Sequence, residues 1–168
     1  MTIYPNKLTK LCISISKNPG TSGSKFHNTG YKLLNLNYLY LPLKFDSLNN
    51  IRIILDKFNI KGCSVSMPFK EKIIKFLDLK DRSTIKTNVA NTLICKKGII
   101  KGYNTDYYAI KKIIKKIKLN NYDSILLLGN GGTAKTIYEF IKSIKVKKIY
   151  LCARDISKFR NWNKSKNS

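Results

Sequence analysis

The sequence predicts an α/β fold in two parts: a mixed-sheet N-terminal domain over residues 1–120 and a strand–helix–strand unit over 121–168. Three observations carry this. Short buried-looking runs such as "KLCISIS" and "GCSVSM" alternate with helically spaced segments. "NTLICKKGIIKGYNTD" reads as two strands around a Lys97-Gly98 turn. After "LNNYD" the pattern restarts as strand "SILLLG", glycines, helix "TAKTIYEFIKSI" and strand "KKIYLCA", a βαβ unit.

In order, residues 10–16 form a buried strand, and the turn formers of 18–23 a loop. "KFHNTGYKLLNLN" is a short helix despite Gly30. "YLYLPLKF" (38–45) alternates as a strand, and Pro42 places it at an edge. Asp46 or Ser47 can cap a helix over 48–58, with Leu48, Ile51, Leu55 and Phe58 on one face. "GCSVSM" is a second buried strand and "EKIIKFLDL" a helix. In "YYAIKKIIKKIK", Ile110, Ile113, Ile114 and Ile117 share a core-facing side, with the lysines on a solvated back. Only the tail after Arg154 reads as disordered.

Lys+Arg number 33 against 9 Asp+Glu, a formal net charge of +24. A nucleic-acid partner would use such charge to neutralise phosphates. The basic residues are nearly all lysine, spread along the whole length, with no basic stripe interleaved with aromatics. The charge is therefore compositional drift, and no specific nucleic acid is expected. Cys12, Cys63, Cys95 and Cys152 sit singly in apolar runs at spacings that suit no zinc site, so they read as reduced core cysteines and no metal is expected. The N-terminus has no apolar leader and no run reaches membrane-spanning length, so the expectation is a soluble, cytoplasmic chain.

Two constellations carry chemistry. In "LLLGNGGTAK" a strand leads into Gly129-x-Gly131-Gly132-x-Ala134 and directly into a helix. Glycines there let the turn close and let backbone approach a pyrophosphate, whose charge the helix N-terminus meets. The second strand ends at Ala153-Arg154-Asp155. Arginine suits the 2′-phosphate of NADP, which is favoured, while Asp155 leaves NAD open through the ribose 2′-OH.

The second constellation is scattered over "SVSMPFKE", "NVANTLI" and "GYNTDYYAI". Taken singly, Lys70 is one more surface lysine, Asn91 a turn residue, and Asp106 the cap of a helix over 107–118. Ordinary helices avoid a cation in the first turn, however, so Lys70 at a helix start points to function.

Taken in order, these stretches resemble the shikimate dehydrogenase family over residues 10–158, and look most like a divergent shikimate dehydrogenase-like branch. "GCSVSMPFKE" is similar to the family's lysine motif, "NVANTLI" to its A-V-N-T stretch, "GYNTDYYAI" to its G-D-N-T-D block, and "LLLGNGGTAK" to its nucleotide loop. "CARDISK" stands where the family has N-R-T before an NADP-recognising basic residue.

The resemblance implies a substrate-binding and catalytic domain followed by the first βαβ unit of a Rossmann domain. It implies NADP-dependent, reversible reduction of 3-dehydroshikimate to shikimate in aromatic amino-acid biosynthesis, by a monomer or homodimer. Lys70 and Asp106 would be the catalytic pair, and Ser66 and Asn91 the substrate-hydroxyl contacts. Gly129, Asn130, Gly131, Gly132, Thr133 and Ala134 would hold the cofactor's phosphates, with Arg154 and Lys158 at the adenosine end. The family's S-x-S carboxylate anchor is Thr21-Ser22-Gly23-Ser24 here, so that role falls to Thr21, Ser22 or Ser24. Members of the family continue through further βα units, so the resemblance also implies a chain truncated at its C-terminus. An NAD-linked quinate/shikimate enzyme and an inactive remnant are the alternatives.

Overall fold

The computed structural model describes residues 5–120, 122–144 and 146–162. Two sheets organise the chain. The first has six strands in the order β2-β1-β3-β5-β6-β4. Its strands are β1 (Lys10–Ser16), β2 (Tyr38–Lys44), β3 (Gly62–Val65), β4 (Leu79–Lys80), β5 (Thr92–Lys96) and β6 (Ile99–Tyr103). β1 runs parallel to both β2 and β3, while β5 is antiparallel to β3 and to β6. The sheet is mixed, and Pro42 lies on the edge strand, where a missing N–H leaves no ladder bond unmade.

Isoleucine and leucine at alternate strand positions face the helices and build the main core: Ile13, Ile15, Cys63, Val65 and Leu93 from strands, Leu48, Ile51 and Leu55 from the α2 segment, and Phe69 from the turn after β3. Each such side chain, once fully buried, contributes roughly 1.5–3 kcal/mol. The tight β5–β6 turn is made by Lys97 and Gly98, both at positive φ, the backbone shape that matches strand twist in two-residue hairpins.

The helices are α1 (Ser22–Leu33), α2 (Ile51–Lys57), α3 (Arg82–Thr87), α4 (Thr105–Ile117) and α5 (Gly132–Ile141). The second sheet pairs β7 (Ser124–Leu128) with β8 (Lys148–Cys152) in parallel, and α5 crosses between them. A second core of Tyr107, Ile114, Phe140 and Ile141 joins α4 to α5. On the other face of this sheet Leu126, Leu128 and Tyr150 are exposed.

Several expectations change. α1 starts at Ser22 and ends at Leu33, and α2 starts at Ile51 behind Asn50 rather than at an Asp46 or Ser47 cap. Phe58 follows the end of α2 and is exposed, unlike Leu48, Ile51 and Leu55. "EKIIKFLDL" forms a five-residue 3₁₀ turn, Lys72–Phe76, instead of a helix. Asp78 pulls the chain away, its N–H donating to the Ile100 carbonyl and its carboxylate accepting from the Ile100 N–H. On α4 only Ile114 of the four isoleucines is buried, and Ile113 and Ile117 face solvent, because α5 covers one flank of the helix. Cys152 is exposed. The start of the tail is ordered as a 3₁₀ turn, Ile156–Asn161, that delivers Trp162 onto Leu127 and Ala134; residues 163–168 lie outside the described residues.

Candidate active site

The proposed site residues gather at one edge of the large sheet because of strand direction. β1, β3 and β6 all point their C-terminal ends there, and antiparallel β5 begins there. The loops leaving those ends carry Thr21, Ser22 and Ser24 (after β1), Ser66 and Lys70 (after β3), Asn91 (before β5) and Asp106 (after β6).

Lys70 is placed by its neighbours. The Phe69 N–H donates to the Ser66 carbonyl, closing a turn, and the Phe69 ring is sunk in the core. The next residue therefore turns outward, and its carbonyl accepts from the Ala90 N–H, tying this turn to the segment that leads into Asn91. The ammonium meets Asp106 Oδ2 at 2.8 Å, with side chains 17% and 30% exposed. Asp106 Oδ1 accepts from Asn91 Nδ2 at 2.9 Å. Asn91 is itself oriented by Thr105, whose N–H and hydroxyl both donate to Asn91 Oδ1.

Lys70, Asp106 and Asn91 are thus one hydrogen-bonded unit. Asp106 is not the helix cap. α4 begins at Thr105 behind Asn104, and Asp106 occupies its first turn with the carboxylate turned to Lys70 and Asn91. A carboxylate at a helix N-terminus is also favoured by the dipole.

The glycine loop reaches the same place. Lys70 Nζ donates to Thr133 Oγ1 at 3.2 Å. A Cβ on Gly132 would stand 3.0 Å from Lys70 Cβ and 3.3 Å from Val89 Cγ1, so a side chain there would push the loop off the lysine. Gly129 sits at φ +103°, a conformation that L side chains rarely adopt, and an added Cβ at Gly129 or Gly131 would meet no atom within 4 Å. The loop is open on its outer side and packed on its inner one.

Beyond it lies a groove of about 760 Å³ lined by Gly129, Asn130, Cys152, Ala153, Arg154, Asp155 and Lys158. Asn130 donates from its amide to the Asp155 carbonyl, and the Asp155 carboxylate accepts from the Ser157 N–H at 3.0 Å and from its hydroxyl. Those hydrogen bonds hold the Asp155 carboxyl below the usual carboxylate range. Arg154 and Lys158 are the exposed cations of this groove.

The family profile described as the shikimate dehydrogenase substrate binding domain matches residues 14–93. A shikimate dehydrogenase-like protein of Haemophilus influenzae is 36% identical over 151 residues, 90% of this chain and 56% of that protein. The chain belongs to the shikimate dehydrogenase family. A shikimate dehydrogenase (NADP(+)) of Clostridium perfringens is 36% identical over 146 residues, 83% of this chain and 54% of that protein. The solved structure of a shikimate 5-dehydrogenase-like protein superposes with TM-score 0.80 at 34% identity, over 96% of this chain and 60% of that one. The chain thus spans about half the length of the curated relatives it matches.

Within this family frame, some residues were not legible from sequence. Asn104 is fully buried and donates from Nδ2 to Thr87 Oγ1 at 3.0 Å and to Thr136 Oγ1 at 2.9 Å, fastening α5 to the large-sheet part. Its position in "YNTD", between strand and helix, was the available signal. Lys135 pairs with Glu71 at 3.1 Å, a contact with no local sequence pattern. Ser66 is exposed four residues before Lys70, whereas Thr21, Ser22 and Ser24 share the sheet edge at the start of α1, with Ser24 Oγ donating to the Thr21 carbonyl. Among the described residues no helix is long and apolar enough to cross a membrane, and no cluster of three His, Cys, Asp or Glu gathers for a metal.

Proposed function

We propose that the chain carries the substrate-binding and catalytic part of an NADP-linked shikimate dehydrogenase, residues 1–120, and the opening unit of its cofactor domain, 121–168. The observation that carries this reading is the Lys70–Asp106–Asn91 unit lying directly under the glycine loop, with Thr133 against the Lys70 ammonium.

The residues fit an NADP molecule. Open space stands over Gly129 and Gly131 at the N-terminus of α5, where backbone N–H groups meet phosphate. Arg154 and Lys158 border the groove at the end of β8, where a 2′-phosphate would need cations. The Asp155 carboxylate, the group that would favour NAD, is engaged with Ser157. When bound, the cofactor supplies or accepts a hydride at the substrate carbon.

Lys70 donates a proton to the carbonyl oxygen of 3-dehydroshikimate as that carbon receives the hydride, leaving the alcohol; in the reverse direction its neutral amine takes the hydroxyl proton. Asp106 holds the ammonium in place and accepts a hydrogen bond from a substrate hydroxyl. Asn91 and Ser66 bind further hydroxyls, and Thr21, Ser22 and Ser24 receive the carboxylate. The matching name of the Clostridium perfringens relative supports both the substrate and the cofactor.

The test is direct titration of the purified chain with NADPH, NADH and shikimate, together with NADP-dependent shikimate oxidation. NADPH binding more tightly than NADH and shikimate binding lost in Lys70→Ala support the reading. Absence of both sinks it.

A further inference from the structure

The first turns of α5 send three side chains across to the large-sheet part. Thr133 Oγ1 accepts from Lys70, Thr136 Oγ1 accepts from Asn104, and Lys135 Nζ lies 3.1 Å from Glu71 Oε2. Lys135 is the unexpected one. In a chain with 33 Lys+Arg, nearly every cation can remain in water, yet the Lys135 side chain is only 4% exposed. It stands in the first turn of a helix, where the dipole disfavours a cation, and burial adds a desolvation cost. Its ammonium is taken up by the Glu71 carboxylate on the large-sheet side of the helix. What it touches is the residue next to Lys70.

We infer that Lys135 is a positioning residue: its ion pair with Glu71 pins α5 to the turn bearing Lys70 and so fixes where the ammonium stands relative to the glycine loop. The inference rests on the reading of Lys70 as the proton donor. The pin works with its neighbours. Gly132 lets the loop lie on Lys70 without a clash, and Asn104–Thr136 fastens the same helix one residue further on. Lys70 pairs with Asp106 from α4, while Lys135, on the α5 turn that also carries Thr133, pairs with Glu71, the residue after Lys70 in the chain.

This arrangement gives a signature that mere glue would not. Lys135→Met and Glu71→Gln each break the pair, whereas Lys135→Arg keeps its cation. The experiment is trace amine labelling of Lys70 at neutral pH, read by mass spectrometry in the full chain, with and without saturating shikimate. Lys70 should label roughly threefold faster in Lys135→Met and in Glu71→Gln, no faster in the double variant than in either, and at the unaltered rate in Lys135→Arg. No change in the two breaking variants, or an equal rise in Lys135→Arg, would overturn the inference.

Should Lys135→Met not fold, Glu71→Gln decides, since its carboxylate is partly exposed. Lys70 should then label faster, and amide exchange at residues 133–136 should rise relative to the rest of α5. No change in either overturns the pin. The reading of the site is scored separately by whether shikimate shields Lys70 in the unaltered chain. Shielding without the faster labelling condemns the pin alone, and faster labelling without shielding condemns the substrate assignment alone.

Discussion

Lys70, in the turn after β3, and Asp106, in the first turn of α4, are 36 residues apart in sequence and 2.8 Å apart in space. Neither position is explained by the local rules that would otherwise place it. A helix cap would put an acid at Asn104, and a surface lysine would not be half-covered by a glycine loop. The pair is best tested as a unit. In a form that turns over, Lys70→Ala and Asp106→Asn should each lower kcat by about 10²-fold or more while leaving thermal unfolding nearly unchanged. Their combined effect should fall well short of additive, because each removes the same proton-transfer arrangement. Full additivity, or a silent Lys70→Ala in an active enzyme, would end the assignment.

The groove at the end of β8 makes a second prediction. Arg154 is exposed at its rim while the Asp155 carboxylate is bound to Ser157. Arg154→Ala should weaken NADPH by about 10- to 100-fold, the worth of a charge-assisted phosphate contact, and leave NADH nearly unchanged. Equal affinities for the two nucleotides in the unaltered chain would show that Arg154 does not set the choice.

How much of this was legible depends on range. β1 reads from sequence to the residue, because a short apolar run is bounded by Asn18-Pro19-Gly20. The β5–β6 hairpin reads as well, from Lys97-Gly98 between alternating strands. The segment after Lys70 does not, since its helical spacing of Ile73, Ile74 and Phe76 is overridden by the tertiary Asp78–Ile100 bonds that draw the chain into β4. β4 and α3 are two and six residues long, too short for any periodicity to register. The Lys70–Asp106 pair was reached only through resemblance, and Lys135–Glu71, 64 residues apart, not at all. Local pattern encodes elements; contacts between elements are encoded in the fold.

Asp81 links α3 to the start of α4 and carries the pH prediction. Its Oδ1 accepts from the Thr84 N–H at 2.9 Å, capping α3, and Tyr108 donates to Oδ2 at 3.1 Å. Burial pushes its carboxyl up, but the hydrogen bonds from Ser83 and Thr84 outweigh that and hold it below the usual carboxylate range. A folded-state value below the unfolded one, about 3.9, gives stability that is fully present above that pH and lost as pH falls through the folded value. Asp81→Ala should therefore cost about 1 kcal/mol at pH 7. In urea titrations the difference from the unaltered chain should shrink as pH drops below about 4. A constant difference across that range would show that packing, not the carboxylate, is what the substitution removes.

The cysteines offer a footprint of the cofactor. Burial pushes the Cys63 thiol well above its ordinary range and the Cys95 thiol up to about 11, so neither supplies thiolate at neutral pH. Cys152, at the end of β8, is exposed and lines the groove with Gly129 and Arg154. A disulfide reagent at pH 7.5 should therefore modify Cys152 ahead of the half-buried Cys95, and Cys63 only on unfolding. Saturating NADPH should shield Cys152, and NADH at the same concentration should shield it less. The Cys152→Ser chain supplies the control, because the part of the labelling that NADPH slows should vanish while its fold persists. Rapid Cys152 labelling that NADPH leaves untouched, in a chain that nonetheless binds NADPH, would place the nucleotide elsewhere than along the end of β8.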